Sequence, residues 1–349
     1  MRRRLTCAVL LAVFSATLVA SHLFARAQQA APPPAQEQAP PIVTEVRLVD
    51  VIFTVLNRRQ RFVTDLGRDN FKVFEDGEPQ DIRFFSRQTD LPLRVGMLLD
   101  TSNSIRDRLK FEQEAAIDFF YSTLRRNKDL AFLMTFDNEP SVIEEYIGDL
   151  DRLRDTINRQ RAGGGTALYD GVYFACNDRL AKPPMPPGPT PEVRRVLLLI
   201  SDGDDTHSNR AKSEAIEACQ RAGVVIYAIS TSTQWVTATE AADPTKRVNR
   251  KIHKEAGDKT LDQLTEETGG RAFFPYRLDD LGQSFQDIGD ELRSQYSLAY
   301  VPQNKSTEGT FRKIKIEVDR KGLIVRARKG YYTPRTVAIT PTSTRPPGQ

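Results

Sequence analysis

Histidine, cysteine and the motifs of several enzyme classes are scarce or absent in this chain of 349 residues. The three histidines, His22, His207 and His253, are too scattered to suggest a zinc site. No G-x-S-x-G motif provides a serine nucleophile, and the glycine-rich turn at residues 163–165 lacks the lysine of a P-loop. These absences argue against a zinc enzyme, a serine hydrolase and a P-loop nucleotide-binding protein.

Net charge is also close to absent once the N-terminus is set aside. Residues 1–27 contain four arginines and no acidic residue, so the rest of the chain has 46 basic and 46 acidic residues. A balanced chain offers no reason to expect nucleic acid as a partner. Hydrophobic residues make up 39% and charged residues 28% of the chain, which is the composition of an ordinary globular protein.

The N-terminus resembles a secretory signal. Three arginines at positions 2–4 precede an apolar run at residues 5–20, and Ala25-Arg26-Ala27 is a small-x-small cleavage site. An uncleaved anchor helix is the alternative, but the apolar run is shorter than the ~20 residues that span a bilayer. We therefore expect residues 1–27 to be removed, the protein to be periplasmic or secreted, and no stable membrane span to remain.

Polar side chains follow a buried strand in the middle of the chain. Residues 95–99 form an apolar run without alternation, as in a central parallel strand, and the run ends at Asp100. Hydroxyls follow at Thr101, Ser102 and Ser104. Such groups at the carboxyl end of a central strand lie where open α/β sheets bind ligands. These hard oxygen donors suit Mg²⁺ or Mn²⁺ rather than zinc.

Two further segments carry matching chemistry. Residues 163–165 are glycines that would let the backbone approach an ion closely and present the hydroxyl of Thr166. A second apolar run at residues 196–200 ends in Ser201 and Asp202. A second buried strand therefore also delivers a carboxylate at its carboxyl end.

Strand and helix patterns alternate between residues 93 and 294, which predicts a doubly wound α/β sheet with right-handed crossovers. Thr231 to Lys259 is a long polar excursion in this region, and an amphipathic helix at about residues 279–294 ends it. The predicted strands are residues 95–99, 130–136, 141–146, 196–200, 224–230 and 271–274.

Alternating strand patterns precede and follow this region. In the first flank, strands around Phe71 and Ile82 enclose a turn at residues 75–77, which predicts a hairpin. In the second flank, residues 311–318 and 323–327 are predicted partner strands across a turn, with Arg326 facing outward. The economical interpretation is one small β-sandwich made of both flanks, with the α/β domain inserted between them.

The predicted organisation of the chain has six parts. They are a signal peptide at 1–27, a Pro-rich disordered linker at 28–42, the first half of the β module at 43–92, the α/β domain at 93–294, the second half of the β module at 295–334, and a disordered tail at 335–349.

The polar segments resemble the von Willebrand factor A family. A lone D-x-S-x-S would be a weak signal, but three matched segments in the right order are a strong one. Asn103 stands where a glycine is common, and Asn tolerates positive φ better than most residues. The matching residues, which in that family form the metal-ion-dependent adhesion site, are Asp100, Ser102, Ser104, Thr166 and Asp202.

The resemblance implies binding rather than catalysis. In the family the two serines and the threonine bind Mg²⁺ or Mn²⁺ directly, the two aspartates act largely through water, and a carboxylate of a protein partner fills the open position. The flanking strands resemble an exported bacterial group of such proteins without assigned activity. The sequence indicates no oligomeric state.

The sequence leaves two alternatives to a metal-dependent binding module. One is a Mg²⁺-dependent hydrolase or phosphotransfer enzyme with Asp100 as nucleophile. Enzymes of that type usually carry a second aspartate two residues on, and here that residue is Ser102. The other alternative is a structural scaffold whose metal site is unused.

Two cysteines, Cys176 and Cys219, remain after the signal. Both lie in apolar helical patterns, and buried cysteine packs as a small hydrophobe, so we expect two free thiols. The competing expectation is a disulfide, because an exported protein meets an oxidising compartment.

Overall fold

The computed structural model describes residues 48–87, 91–188, 192–231, 256–275, 278–304 and 309–333. The predicted signal, linker and tail, and most of the polar excursion, lie outside these residues. All described residues belong to one compact unit, Arg47–Gln349. Among them, no helix combines the length and the apolar character needed to cross a membrane.

Fourteen strands and six α-helices make up the described part of the chain. The strands are β1 Val49–Asn57, β2 Phe71–Glu75, β3 Glu78–Gln80, β4 Ile82–Arg87, β5 Leu93–Asp100, β6 Leu130–Phe136, β7 Pro140–Ile147, β8 Arg194–Ser201, β9 Val225–Ser230, β10 Arg271–Phe273, β11 Tyr296–Tyr300, β12 Phe311–Val318, β13 Leu323–Ala327 and β14 Gly330–Tyr332. The helices are α1 Leu109–Thr123, α2 Leu150–Asn158, α3 Leu168–Phe174, α4 Lys212–Ala222, α5 Ala256–Thr268 and α6 Leu278–Arg293.

The central sheet has six strands in the order β10-β9-β8-β5-β6-β7, and β7 is its antiparallel edge. Every residue of β5 is buried, because β5 pairs in parallel with both β6 and β8 and helices cover both faces. Helices α1, α2 and α6 pack on one face and α3, α4 and α5 on the other. This arrangement is the predicted doubly wound α/β sheet, and it places the carboxyl ends of β5 and β8 side by side.

The two flanks build one β-sandwich, as the alternating patterns predicted. One sheet has the order β13-β1-β11-β4 and the other β14-β12-β2-β3, so each sheet contains strands from both flanks. Phe53, Phe71 and Tyr296 stack in the core between them, with ring centroids 5.0 to 5.6 Å apart. The α/β domain is inserted between β4 and β11.

Two strand partners differ from the sequence-based prediction. β2 forms its hairpin with β3, because Asp76 and Gly77 both have positive φ and turn the chain within two residues. β4 then crosses to the other sheet and pairs with β11. In the same way β13 pairs with β1 rather than with β12, so the turn at residues 319–322 also carries the chain between sheets.

Two local predictions are also wrong in part. Lys259 lies within helix α5, so the polar excursion ends before Ala256. Arg326 points away from the sandwich core, as predicted, but not to solvent, because the buried carboxylate of Glu291 on α6 covers that face and accepts two hydrogen bonds from the guanidinium, at 2.8 and 2.9 Å. A polar sequence does not by itself distinguish an exposed surface from a buried ion pair.

The prediction of two free thiols is wrong as well. Cys176 lies in a π-helical segment, Ala175–Leu180, that continues α3, and Cys219 lies in α4. The two helices pack together and bring the Cα atoms within 4.9 Å, and the cysteines form a disulfide. The apolar surroundings that suggested unpaired cysteines are equally those of a buried disulfide.

Candidate metal centre

The first loop of the site begins where β5 ends. Asp100 is fully buried, and its Oδ1 accepts a hydrogen bond of 2.8 Å from the amide of Ser102. That bond turns the loop so that the hydroxyl oxygens of Ser102 and Ser104 lie 2.9 Å apart. Ser102 is buried and Ser104 is exposed, so the pair lies at the boundary between the protein and solvent.

The glycine loop is attached to the first loop by its backbone. The amide of Gly163 donates to the carbonyl of Thr101 at 2.7 Å, and the amide of Asn103 donates to the carbonyl of Gly164 at 3.3 Å. Gly164 has a φ of +79°, a conformation that favours glycine. The loop holds Thr166, which is buried, beside the serine loop.

The third loop follows β8 and contacts both of the others. The hydroxyl of Ser201 donates to Oδ2 of Asp100 at 2.8 Å and accepts from the amide of Gly203 at 3.0 Å. The carbonyl of Thr166 accepts hydrogen bonds from the amides of Thr206 and His207, at 2.8 and 3.0 Å. The structure thus places the predicted site residues on three loops that are hydrogen-bonded to each other.

The spacing of the serine hydroxyls fits a small divalent ion. The two hydroxyls are hydrogen-bonded, and two ligands at right angles on an octahedral ion with bonds of about 2.05 Å would also lie about 2.9 Å apart, so both hydroxyls could bind one such ion without separating. The observed separation is 2.9 Å. In the described part of the chain, no three His, Cys, Asp or Glu side chains are grouped as a metal site, so hydroxyls would supply most of the donors.

The charges at the site also favour a cation. The pKa of Asp100 is raised to about 6, mainly by burial and also by the nearby Asp202, while the hydrogen bonds from Ser102 and Ser201 lower it. The two carboxylates therefore repel each other. A divalent cation between them would relieve that repulsion.

Supporting residues that the sequence analysis missed lie around the three loops. Ser201 links Asp100 to the third loop, and Asn138 accepts a hydrogen bond of 2.8 Å from the amide of Gly165. The backbone carbonyl of Asp137 accepts from the amide of Ala167 at 2.7 Å. Asp137 and Asn138 directly follow the buried run of β6, and this position at a strand end was the signal that could have found them.

The loop after Asp202 is held by internal hydrogen bonds. Asp170 on α3 accepts from the amides of Asn209 and Arg210, at 2.9 and 3.1 Å. Asp205, which lies beside the predicted site, accepts from the hydroxyl of Ser208 and from a backbone amide of α3. These bonds fix the third loop on the start of α3.

Parts of the chain are similar in sequence to known proteins. The family model described as the von Willebrand factor type A domain matches residues 95–291, which is more than half of the chain. Among curated proteins, Complement C2 of Bos taurus is 28% identical over 127 residues, which cover 32% of this chain and 17% of that protein. The chain therefore spans less than a fifth of that relative's length.

Solved structures also resemble the chain at low sequence identity. A von Willebrand factor type A protein from Catenulispora acidiphila is 10% identical and covers 84% of this chain and 76% of its own, with a TM-score of 0.46. Proximal thread matrix protein 1 from the mussel byssus, with a zinc-occupied MIDAS motif, is 16% identical and covers 62% of this chain and 50% of its own, with a TM-score of 0.45.

Proposed function

Because the chain belongs to the von Willebrand factor type A domain family, we propose that it is an exported module that binds an acidic residue of a protein partner through Mg²⁺ or Mn²⁺. The observation that carries the proposal is the 2.9 Å approach of the Ser102 and Ser104 hydroxyls beside the buried carboxylate of Asp100. Domains of this family are generally protein-interaction modules.

Each predicted residue has a role in this proposal. Ser102, Ser104 and Thr166 bind the ion directly, and Asp100 and Asp202 hold water bound to it. When bound, the ion supplies positive charge at the surface, since its direct protein ligands are neutral hydroxyls, and that charge attracts a carboxylate. Ser104 is exposed, which leaves the outer side of the site open to a partner.

The surroundings of the hydroxyls support binding over nucleophilic catalysis. The ring of His207 lies against Thr206, with Nδ1 2.7 Å from its hydroxyl oxygen. The hydroxyl of Ser102 instead faces Ser104, a neutral group that does not act as a base. The proposed module therefore uses the serines as ligands.

Metal titration tests the first half of the proposal. The mature protein, which we propose begins at residue 28, is freed of metal with EDTA, dialysed and titrated with MgCl₂ by calorimetry. We expect one site, and a gain in unfolding free energy of about 2.7 kcal/mol at a Mg²⁺ concentration of 100 Kd. Asp100→Ala should lose both signals, whereas Asp118→Ala, at an exposed position of α1, should keep them.

The partner is tested in the same variants. The immobilised mature protein is exposed to envelope extract of the exporting cell in Mg²⁺ or in EDTA, and the proposal expects capture in Mg²⁺ alone and by the Asp118→Ala control. Replacement of the captured protein's acidic residues one at a time should identify one that abolishes binding. Equal capture in EDTA, or by Asp100→Ala, would show that the metal does not mediate recognition.

A further inference from the structure

The carboxyl group of Glu112, in the first turn of α1, is buried without a hydrogen-bond partner among the described residues. The side chain of Glu112 has no exposed surface, and neither of its oxygens has a hydrogen-bond partner among the described residues. It shares the buried face of α1 with Leu109, Ala116 and Phe119, which belong to the hydrophobic core. An unpaired carboxyl group in such a place destabilises a fold, because burial removes the hydration of its charge, unless something compensates for that loss.

The charges around Glu112 show which part of the molecule it faces. Its pKa is raised to about 8, mainly by burial and also by the carboxylates of Asp100 and Asp202, while the guanidinium of Arg108 acts in the opposite direction. Asp100 and Asp202 are both residues of the candidate metal centre. Glu112 is fully buried in the first turn of the helix that begins five residues after Ser104, and it is close enough to both carboxylates to be affected by their charge.

We propose that Glu112 belongs to the metal centre and accepts hydrogen bonds from water bound to the buried side of the ion. This inference rests on the proposed function. Mg²⁺ usually keeps several waters when proteins bind it, and carboxylates just outside the ligands orient such groups and raise metal affinity. A carboxylate without a protein hydrogen bond is a suitable acceptor for these waters.

Arg108 completes the charge balance of the enlarged centre. Three carboxylates, those of Asp100, Glu112 and Asp202, exceed the two positive charges of the ion by one. The Nη1 atom of Arg108 is also buried without a hydrogen-bond partner among the described residues, and its guanidinium is close enough to lower the pKa of Glu112. Its charge offsets the excess, so that the enlarged centre has no net negative charge that would repel the carboxylate of a partner from the open side of the ion.

The test compares Glu112→Gln with Glu114→Gln, an exposed position on the same helix. Glutamine keeps the shape of the side chain and removes the charge. We expect Glu112→Gln to weaken Mg²⁺ binding in calorimetry by about tenfold, in the range of losses seen for groups just outside metal ligands. In EDTA the same variant should melt at a higher temperature than the wild type, because no carboxyl group is then buried. Glu114→Gln should change neither value.

A role at the metal predicts weaker Mg²⁺ binding together with a higher melting temperature in EDTA. A general structural role would instead lower both the affinity and the melting temperature. Glu112→Met, an apolar side chain of similar length, repeats the test if the buried amide impairs folding. Binding of Mg²⁺ within twofold of wild type in these variants, or weaker binding together with a lower melting temperature in EDTA, would overturn the inference on Glu112 alone. A wild-type protein that binds neither Mg²⁺ nor Mn²⁺ would overturn the proposed function as well.

Discussion

Two buried glutamates on neighbouring helices meet opposite surroundings. Glu291 on α6 is fully buried at the junction with the sandwich, where Arg326 of β13 and Thr54 of β1 donate to it at 2.8 to 3.2 Å. Glu112 on α1 is equally buried, near the edge of the central sheet where the three loops of the candidate metal centre meet, which we call the metal edge. It has no hydrogen-bond partner among the described residues. We infer that the junction is complete within the chain, whereas the metal edge requires a cation to be complete.

Removal of the partner of Glu291 should have the largest effect. Arg326→Met leaves a buried carboxylate unpaired, which costs about 3–5 kcal/mol of unfolding free energy. Urea unfolding monitored by circular dichroism measures it. Arg320→Met is the matched control, because Arg320 and Asp65 form a pair 3.5 Å apart whose side chains are 51% and 70% exposed, and its loss should cost less than about 1 kcal/mol. Equal losses in the two variants would show that the junction pair is no more important than a surface one.

A disulfide stabilises the helices next to the metal edge, whereas the described residues include none at the junction with the sandwich. The disulfide Cys176–Cys219 joins α3, which follows Thr166, to α4, which follows the third loop. Replacing both cysteines with alanine should lower the unfolding free energy measured in urea by about 4 kcal/mol, because the closed loop spans a sequence separation of 43 residues. Thiol counting in denaturant on the exported protein should find no free thiol, and two free thiols would contradict the disulfide.

The strands, and the positions of the candidate metal ligands at strand ends, were predictable because their signals are local. The apolar runs of β5 and β8 and the polar residues after them are each contiguous in sequence, so strand, strand end and donor were found together. Glu112 was missed because polar residues of an amphipathic helix are assigned to its exposed face. Its spacing, three residues after Leu109 and four before Ala116, was the available signal.

The remaining features depend on contacts between distant segments. The pairing of β13 with β1 joins residues from opposite ends of the chain, and nothing within either strand specifies its partner. The approach of Cys176 to Cys219 depends on how α3 packs on α4. The alternation of β13 correctly places Arg326 on the face away from the sandwich core, but only the packing of α6 on that face brings Glu291 to it.

The stability of the metal-free protein should depend on pH through Glu112. The pKa of Glu112 is raised, mainly by burial, to about 8 in the folded state from its ordinary value of 4.5. The folded state therefore holds its proton more tightly than the unfolded state does. The stability that this contributes is full below pH 4.5 and is lost as the pH rises through about 8. In EDTA, the stability of Glu112→Gln relative to wild type should therefore rise across that window, and a constant difference from pH 4.5 to 8 would contradict the pKa.

The smallest expected effect is energetic coupling between the metal edge and the junction of α6 with the sandwich. Helix α1 begins at the metal edge and packs on α6, where the rings of Phe119 and Phe285 lie 5.4 Å apart and Arg293 donates to the carbonyl of Thr123 at 2.6 Å. Glu291 lies on α6, and α6 leads into β11 of the sandwich after Ser294 and Gln295 alone. A displacement of either helix therefore has little slack in which to be absorbed before it reaches the sandwich.

Coupling of this kind is reciprocal, so loss of the junction pair should alter metal affinity. Arg326→Met should weaken Mg²⁺ binding by about twofold to fivefold, which corresponds to roughly 0.4–1 kcal/mol, whereas Arg320→Met should leave it unchanged. Hydrogen exchange should then show α6 and β13 better protected with Mg²⁺ than with EDTA in the wild type. If the affinity of Arg326→Met equals that of its control, and Mg²⁺ alters exchange only in the three loops, the regions are independent. The sandwich would then serve only as a mount for the metal-binding domain.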